Sequence, residues 1–140
     1  MGMKISYKNY SDDNQERYFK PVIYCNPTNK EKSHAVSLNV QLAEKLSKIK
    51  PQMRTMRIEQ CFNQVLATLP ENTILKDYDV LFCPDYQIDV MKVLISACKK
   101  KPFQIIWPGK YEEGVLYYAE EGYKDFKTYS IEEYDITCVI

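Results

Sequence analysis

Residues Pro21 to Val36 read PVIYCNPTNKEKSHAV, a short apolar run followed by a polar stretch that contains Lys32-Ser33. A strand, a loop and then Lys-Ser is the outline of a phosphate-binding loop, G-x-x-x-x-G-K-[ST]. Its glycines let backbone N–H groups turn toward the phosphates, its lysine reaches the terminal phosphate and its hydroxyl holds magnesium. Here Asn26 and Glu31 stand where the glycines belong. Asn26 tolerates a left-handed backbone, but Glu31 adds a side chain and a negative charge beside the expected anion. The loop also needs a helix behind it whose N-terminus faces the phosphate. The segment AVSLNV, residues 35–40, instead alternates apolar and polar side chains as a half-buried strand does, which leaves no room for three helical turns. The expectation is a degenerate phosphate loop, with Asn26, Lys30, Lys32 and Ser33 as the remains of a nucleotide site.

Outward from the loop, helices and strands alternate. Leu42, Ala43, Leu46 and Ile49 recur at helical spacing, with Asn39 as the expected N-cap and Pro51 as the stop. A second amphipathic run, Ile58 to Leu69, ends at Pro70. NTILKDYDVLFCP, residues 72–84, is rich in branched and aromatic side chains and reads as a strand near the sheet centre. Asp89 to Pro102 reads as a buried helix with an acid at its start and lysines in its last turn, and FQIIWPG as the next strand. From Tyr111 onward GVLYYAEEG, KTYSI and DITCVI predict short tyrosine-rich strands that extend the sheet or form an added antiparallel ribbon. The fold class is therefore α/β, a three-layer arrangement with a mainly parallel sheet and a β extension at residues 111–140. The polar residues 1–20 read as a lead-in with a weak helical pattern. At 140 residues the chain fits one domain, since cores come in units of roughly 100–200 residues.

The metal-side acid of a nucleotide site should end a buried strand. In TILKDYDVLF the first polar position is Lys76, which cannot hold magnesium, so Asp77 beside it is the candidate; Asp77 and Asp79 also read as exposed strand residues. One histidine, His34, and five cysteines with no C-x-x-C spacing give no zinc pattern, and the cysteines read as small buried side chains. Nineteen bases balance nineteen acids, unevenly placed. Lys45, Lys48, Lys50, Arg54 and Arg57 face a single acid between residues 44 and 57, which makes that stretch a candidate contact for DNA or for an acidic partner, with a solvated helix face as the plain alternative. No apolar run approaches the ~18 residues of a membrane-spanning helix, and the N-terminus lacks the apolar centre of a signal peptide, so the expected location is cytoplasmic. Gly2 with Ser6 matches the N-myristoylation pattern, which no other lipid signal in the chain supports.

From Val36 to the C-terminus the chain resembles BrxF, the small P-loop protein of type-three BREX (bacteriophage exclusion) phage-defence systems. VSLNVQLAEKL, ILKDYDVLFCPDYQIDVMKVLISACKK and IIWPGKYEEGVLYYAEEGYKDFKTYSIEEYDITCVI carry the resemblance by order and spacing. The most specific part is Trp107, Gly109, Gly114, Leu116, Tyr118, Ala119, Glu120, Gly122, Phe126 and Tyr129. The resemblance implies a P-loop-NTPase-like fold and a role in phage restriction among other defence proteins. The chain departs from the family pattern at both loop glycines, at the following helix and at the metal-side acid, which falls on Lys76. The expectation is thus a non-catalytic subunit without cofactor, acting through protein contacts. The alternatives are a nucleotide switch or ATPase, with ATP and magnesium on Lys30, Lys32, Ser33 and Asp77 and a neighbouring subunit completing the loop, or a DNA-binding accessory.

Overall fold

The computed structural model describes residues 2–10 and 20–140. Its main sheet is six-stranded and wholly parallel, in the order β1-β9-β2-β5-β4-β3, with β1 Met3–Ile5, β2 Val22–Tyr24, β3 Val36–Ser37, β4 Thr73–Lys76, β5 Phe103–Ile106 and β9 Thr137–Val139. Among the described residues four α-helices flank it: α1 Asn29–His34, α2 Asn39–Ser47, α3 Arg54–Ala67 and α4 Val90–Lys100. A second sheet, antiparallel, holds β6 Lys110–Glu112, β7 Val115–Tyr118 and β8 Lys127–Ser130. This is a mixed α/β fold with a mostly parallel sheet and flanking helices, consistent with a generic three-layer α/β architecture.

Side chains alternate across the main sheet, so each strand feeds two cores. Ile23, Leu75, Ile105 and Cys138 point to the face where Leu42 and Leu46 of α2, Phe62 and Val65 of α3 and Leu94 and Cys98 of α4 are buried in one continuous cluster. Val22, Tyr24 and Val139 point to the other face, where they pack with Ile5, Tyr10 and Ile74. Leu116 and Tyr129 of the small sheet belong to the larger cluster, which fastens the ribbon to the domain.

Several expected elements form where the pattern places them. Asp89 is the N-cap of α4 and accepts a hydrogen bond from the Lys92 amide at 3.1 Å, while Val90, Met91, Val93, Leu94, Ala97 and Cys98 are buried over more than one helix face. The tail takes both of its expected courses, since β9 joins the main sheet and β6 to β8 form the separate antiparallel ribbon.

Other elements differ, each for a local reason. The strand expected over residues 35–40 is only Val36–Ser37: Leu38 already has helical backbone angles and accepts the first helical hydrogen bond, from the Leu42 amide. Asn39 is consequently the first helical residue and not the cap; its side chain accepts from the Val80 amide and donates to Asp79. The strand expected over residues 72–84 stops at Lys76, because Asp77 has φ +51° and leaves the pleat. Asp79–Phe82 then forms a 3-10 turn. β4 also lies next to the short edge strand β3, not at the sheet centre. At the N-terminus Met3–Ile5 is an edge strand and Tyr7–Asn9 a 3-10 turn, so these residues are not helical, while residues 11–19 of the expected lead-in lie outside those described. Among the described residues no helix is long and apolar enough to cross a membrane.

Candidate functional site

In parallel α/β sheets ligands bind at the carboxyl ends of the strands, where neighbouring strands send the chain in opposite directions. The chain leaves β2 toward the β3 edge, and it leaves β5 to return as β9 on the far side of β2. The β2–β5 boundary is therefore the place where a crevice should open, and the turn Cys25–Thr28 stands over it.

The turn does not have the geometry of a phosphate cradle. Contrary to the sequence expectation, a helix does follow it, but α1 starts at Asn29, inside the motif, and runs for six residues. Lys32 and Ser33 thus ride in its interior and last turn instead of preceding it. Both are exposed, and the Ser33 hydroxyl donates back to the Lys30 carbonyl at 3.0 Å. Asn26 has a negative φ, so it does not supply the left-handed corner that a glycine would.

Glu31 is the residue that closes the N-terminal end of α1. It is only 5% exposed, and its Oε2 accepts a hydrogen bond from the hydroxyl of Thr28, the N-cap. Burial pushes its carboxyl up, but the Thr28 and Tyr7 hydroxyls and the main-chain amides of Glu31 and Thr28 outweigh that, so it lies below its ordinary value. The Thr28 hydroxyl, which could have faced an anion, already serves the chain's own carboxylate. The spacing Thr28-x-x-Glu31 is that of a capping box, a sequence signal for this helix that the alternation of AVSLNV hides. Because Glu31 is held ionised by the fold, its contribution to stability is complete above the unfolded value of about 4.5 and is lost as pH falls through the lower folded value. Urea denaturation of the protein below about pH 4 should therefore show a loss of stability that Glu31→Gln lacks; parallel acid profiles for the two proteins would contradict it.

The metal side fares no better. Asp77 is exposed at the end of β4, and β5 stands between β4 and β2, so the two strand ends lie about 10 Å apart. Among the described residues no group of three His, Cys, Asp or Glu side chains could hold a metal ion. Beyond Asp77 the chain turns inward, and Tyr78 is completely buried with its hydroxyl donating to the Ile106 carbonyl at 2.9 Å. Burial first, then the nearby Asp79, Cys25, Tyr118 and Tyr129, push its phenol well above the ordinary value. Around it Phe82 stacks on Tyr118 with centroids 3.8 Å apart, Trp107 meets Phe82 and Tyr129 edge-on, and Tyr118 donates to Asp79 at 3.1 Å. The carboxyl end of β5 is packed with aromatic side chains. ATP with magnesium does not fit these residues.

The basic stretch does converge. Burial pushes the Cys61 thiol up, and Lys45 near the end of α2 and Arg57 in the first turn of α3 both lie close enough to oppose that push in part, though the thiol stays raised. Lys48, Lys50 and Arg57 are exposed, and Arg54 Nε donates to the Ile49 carbonyl at 3.0 Å, closing the end of α2. These residues lie on α2, on α3 and on the connection between them, on the face of the larger core. Lys30 and Glu31 instead line a cleft with Tyr24 and Ile74 on the opposite face, so the two candidate sets form no common site. Comparison with protein-family models, curated protein sequences and solved structures finds no match.

Proposed function

We propose that this chain is a non-catalytic, BrxF-like subunit of a bacterial phage-defence system of the BREX type, with a degenerate P-loop-like α/β domain that acts by binding another protein of that system. The resemblance over residues 36–140 suggests the system, and the parallel sheet with a loop and helix after β2 suits the fold. The observation that carries the loss of catalysis is Glu31, buried and bonded to Thr28 at the N-terminal turn of α1, where a nucleotide would need open amides. A cytoplasmic setting and partners among defence proteins follow from the same reading.

Two measurements test it. Titration with ATP and magnesium, with a phosphate-release assay, should give neither micromolar binding nor turnover. Saturable binding with turnover abolished by Lys32→Ala would establish a nucleotide enzyme instead. Co-purification from the native host should then recover another protein of the defence system, and recovery of duplex DNA with salt-sensitive affinity would favour the accessory role of the basic corner.

A further inference from the structure

On the face of the larger core α3 and α4 lie side by side, and Lys101 Nζ donates to the Ala67 carbonyl at 3.5 Å where α3 ends. Between them runs an open groove of about 570 Å³, lined by residues of α3 from Met56 to Ala67 and by Lys100 of α4. Met56, Gln60, Asn63 and Ala67 follow one another at helical spacing, so they form a single stripe along the groove. Met56 is 77% exposed, more than any other large apolar side chain among the described residues. Bases stand at both ends of the stripe. Lys50, at the turn that leads into α3, and Arg57, in the first turn of α3, mark one end, while Lys99 and Lys100 in the last turn of α4 mark the other. All four are exposed, and none forms an ion pair among the described residues. At 1.5 Å per helical residue, the α3 segment from Arg57 to Ala67 sets the two basic ends about 15 Å apart. The acid between them is Glu59.

We propose that this groove docks an amphipathic helix of a partner protein, with acids in its first and last turns and an apolar stripe along its inner face. Two packed helices offer a third helix a groove between their side-chain ridges. The carboxylates of one end would meet Lys50 and Arg57, those of the other Lys99 and Lys100, and the apolar stripe would cover Met56, whose flexible thioether adapts to the surface it meets. Glu59 selects against an acid in the middle of the ligand. Duplex DNA suits the face less well: it carries a charge about every 1.7 Å along its axis, so it would lay anions over the neutral stripe and over Glu59, and phosphate gives Met56 nothing to pack on. A second copy of the chain docked by the same face would set base against base. That the occupant is a protein also rests on the proposed role of the chain in protein contact; which system it belongs to is read from co-purification, so the two fail separately.

The experiment is an NMR and fluorescence-anisotropy titration of the full chain with a synthetic helical peptide of about 15 residues, about 22 Å long, that carries glutamates in both end turns and leucines along one face. It should bind saturably with a Kd below about 1 mM, with shifts centred on Met56–Ala67 and Lys99–Lys100. The same peptide with glutamines for the glutamates should bind about fivefold to tenfold more weakly at low salt, the difference shrinking as salt rises. Met56→Gln should weaken the acidic peptide about threefold to tenfold, and Arg57→Gln combined with Lys100→Gln about fivefold. The three side chains are exposed, so circular dichroism and Tm should match the parent. No saturable binding, shifts centred elsewhere, equal affinity for the glutamine peptide, unchanged affinity in either variant, or tighter binding of a duplex DNA by the same residues would overturn the proposal.

Discussion

Gly109→Ala is expected to destabilise the chain by about 3 kcal/mol, a large share of the roughly 5–15 kcal/mol by which a domain is stable. A Cβ at this position would lie 1.8 Å from the Tyr117 carbonyl oxygen and 3.1 Å from Trp107 Nε1. Neither is the free end of a flexible side chain. The Tyr117 carbonyl is fixed in β7 and accepts the Trp107 indole N–H at 3.0 Å, the hydrogen bond that fastens the antiparallel ribbon to the end of β5. Relief of the clash requires β7 to move away, which breaks that bond and opens the packing of Trp107 against Phe82 and Tyr129. Trp107 is the sole tryptophan, so its fluorescence reports the event directly as a red shift and an earlier urea midpoint. Gly114→Ala is the control: at φ +80° it carries backbone strain of about 1–2 kcal/mol but meets nothing within 4 Å. Equal stability of the two variants would show that the close approach at Gly109 is not what holds the ribbon.

The second large effect belongs to Tyr78. Truncation to alanine should cost about 3–5 kcal/mol, as for other fully buried aromatic side chains, because it empties the middle of the aromatic cluster. Tyr78→Phe keeps the ring and removes only the hydroxyl that donates to Ile106, for a smaller loss of about 1–3 kcal/mol. The same residue predicts alkaline behaviour. Burial, followed by nearby charge, raises the phenols of Tyr78, Tyr118 and Tyr129 above the ordinary value of 10.0 and brings Tyr134 to about 12. A group raised in the folded state stabilises it fully below the unfolded value, and that contribution is lost as pH rises from there through the raised folded value. Tyrosine ionisation followed by ultraviolet absorbance should thus show an early fraction from exposed rings such as Tyr123, then a cooperative step that coincides with unfolding. A Tyr78→Ala protein as stable as the parent, or a single smooth titration near pH 10, would refute the packed crevice that argues against a nucleotide site.

The alternation of helices and strands was legible in the sequence because it depends on local periodicity and on punctuation by proline, glycine and the Asp89 cap. The absence of both loop glycines and the lysine at the metal-side position were equally local facts, and they were enough to question a working phosphate loop. Pairwise contacts across the fold were not legible. That Asn39 would give up capping to tie Asp79 and the Val80 amide together depends on a neighbour forty residues away. Tyr78 reads as one aromatic residue in a strand; only the left-handed Asp77 before it and the Ile106 carbonyl opposite turn it into the plug of the crevice. The cleft beside Glu31 is of the same kind, since Tyr7 and Tyr24 line it together only after β1 and β2 take places on either side of β9.

By itself, then, the order of residues determined the helices α2, α3 and α4, the strand β5 and which chemical groups the first loop lacks, because backbone propensity and side-chain type act over a few positions; it hid α1 and overextended β3 and β4. Tertiary structure alone decided where the Glu31 charge is buried, which aromatic rings fill the end of β5 and which tyrosines line the cleft beside Glu31, because burial and hydrogen bonding are properties of groups brought together from distant parts of the chain.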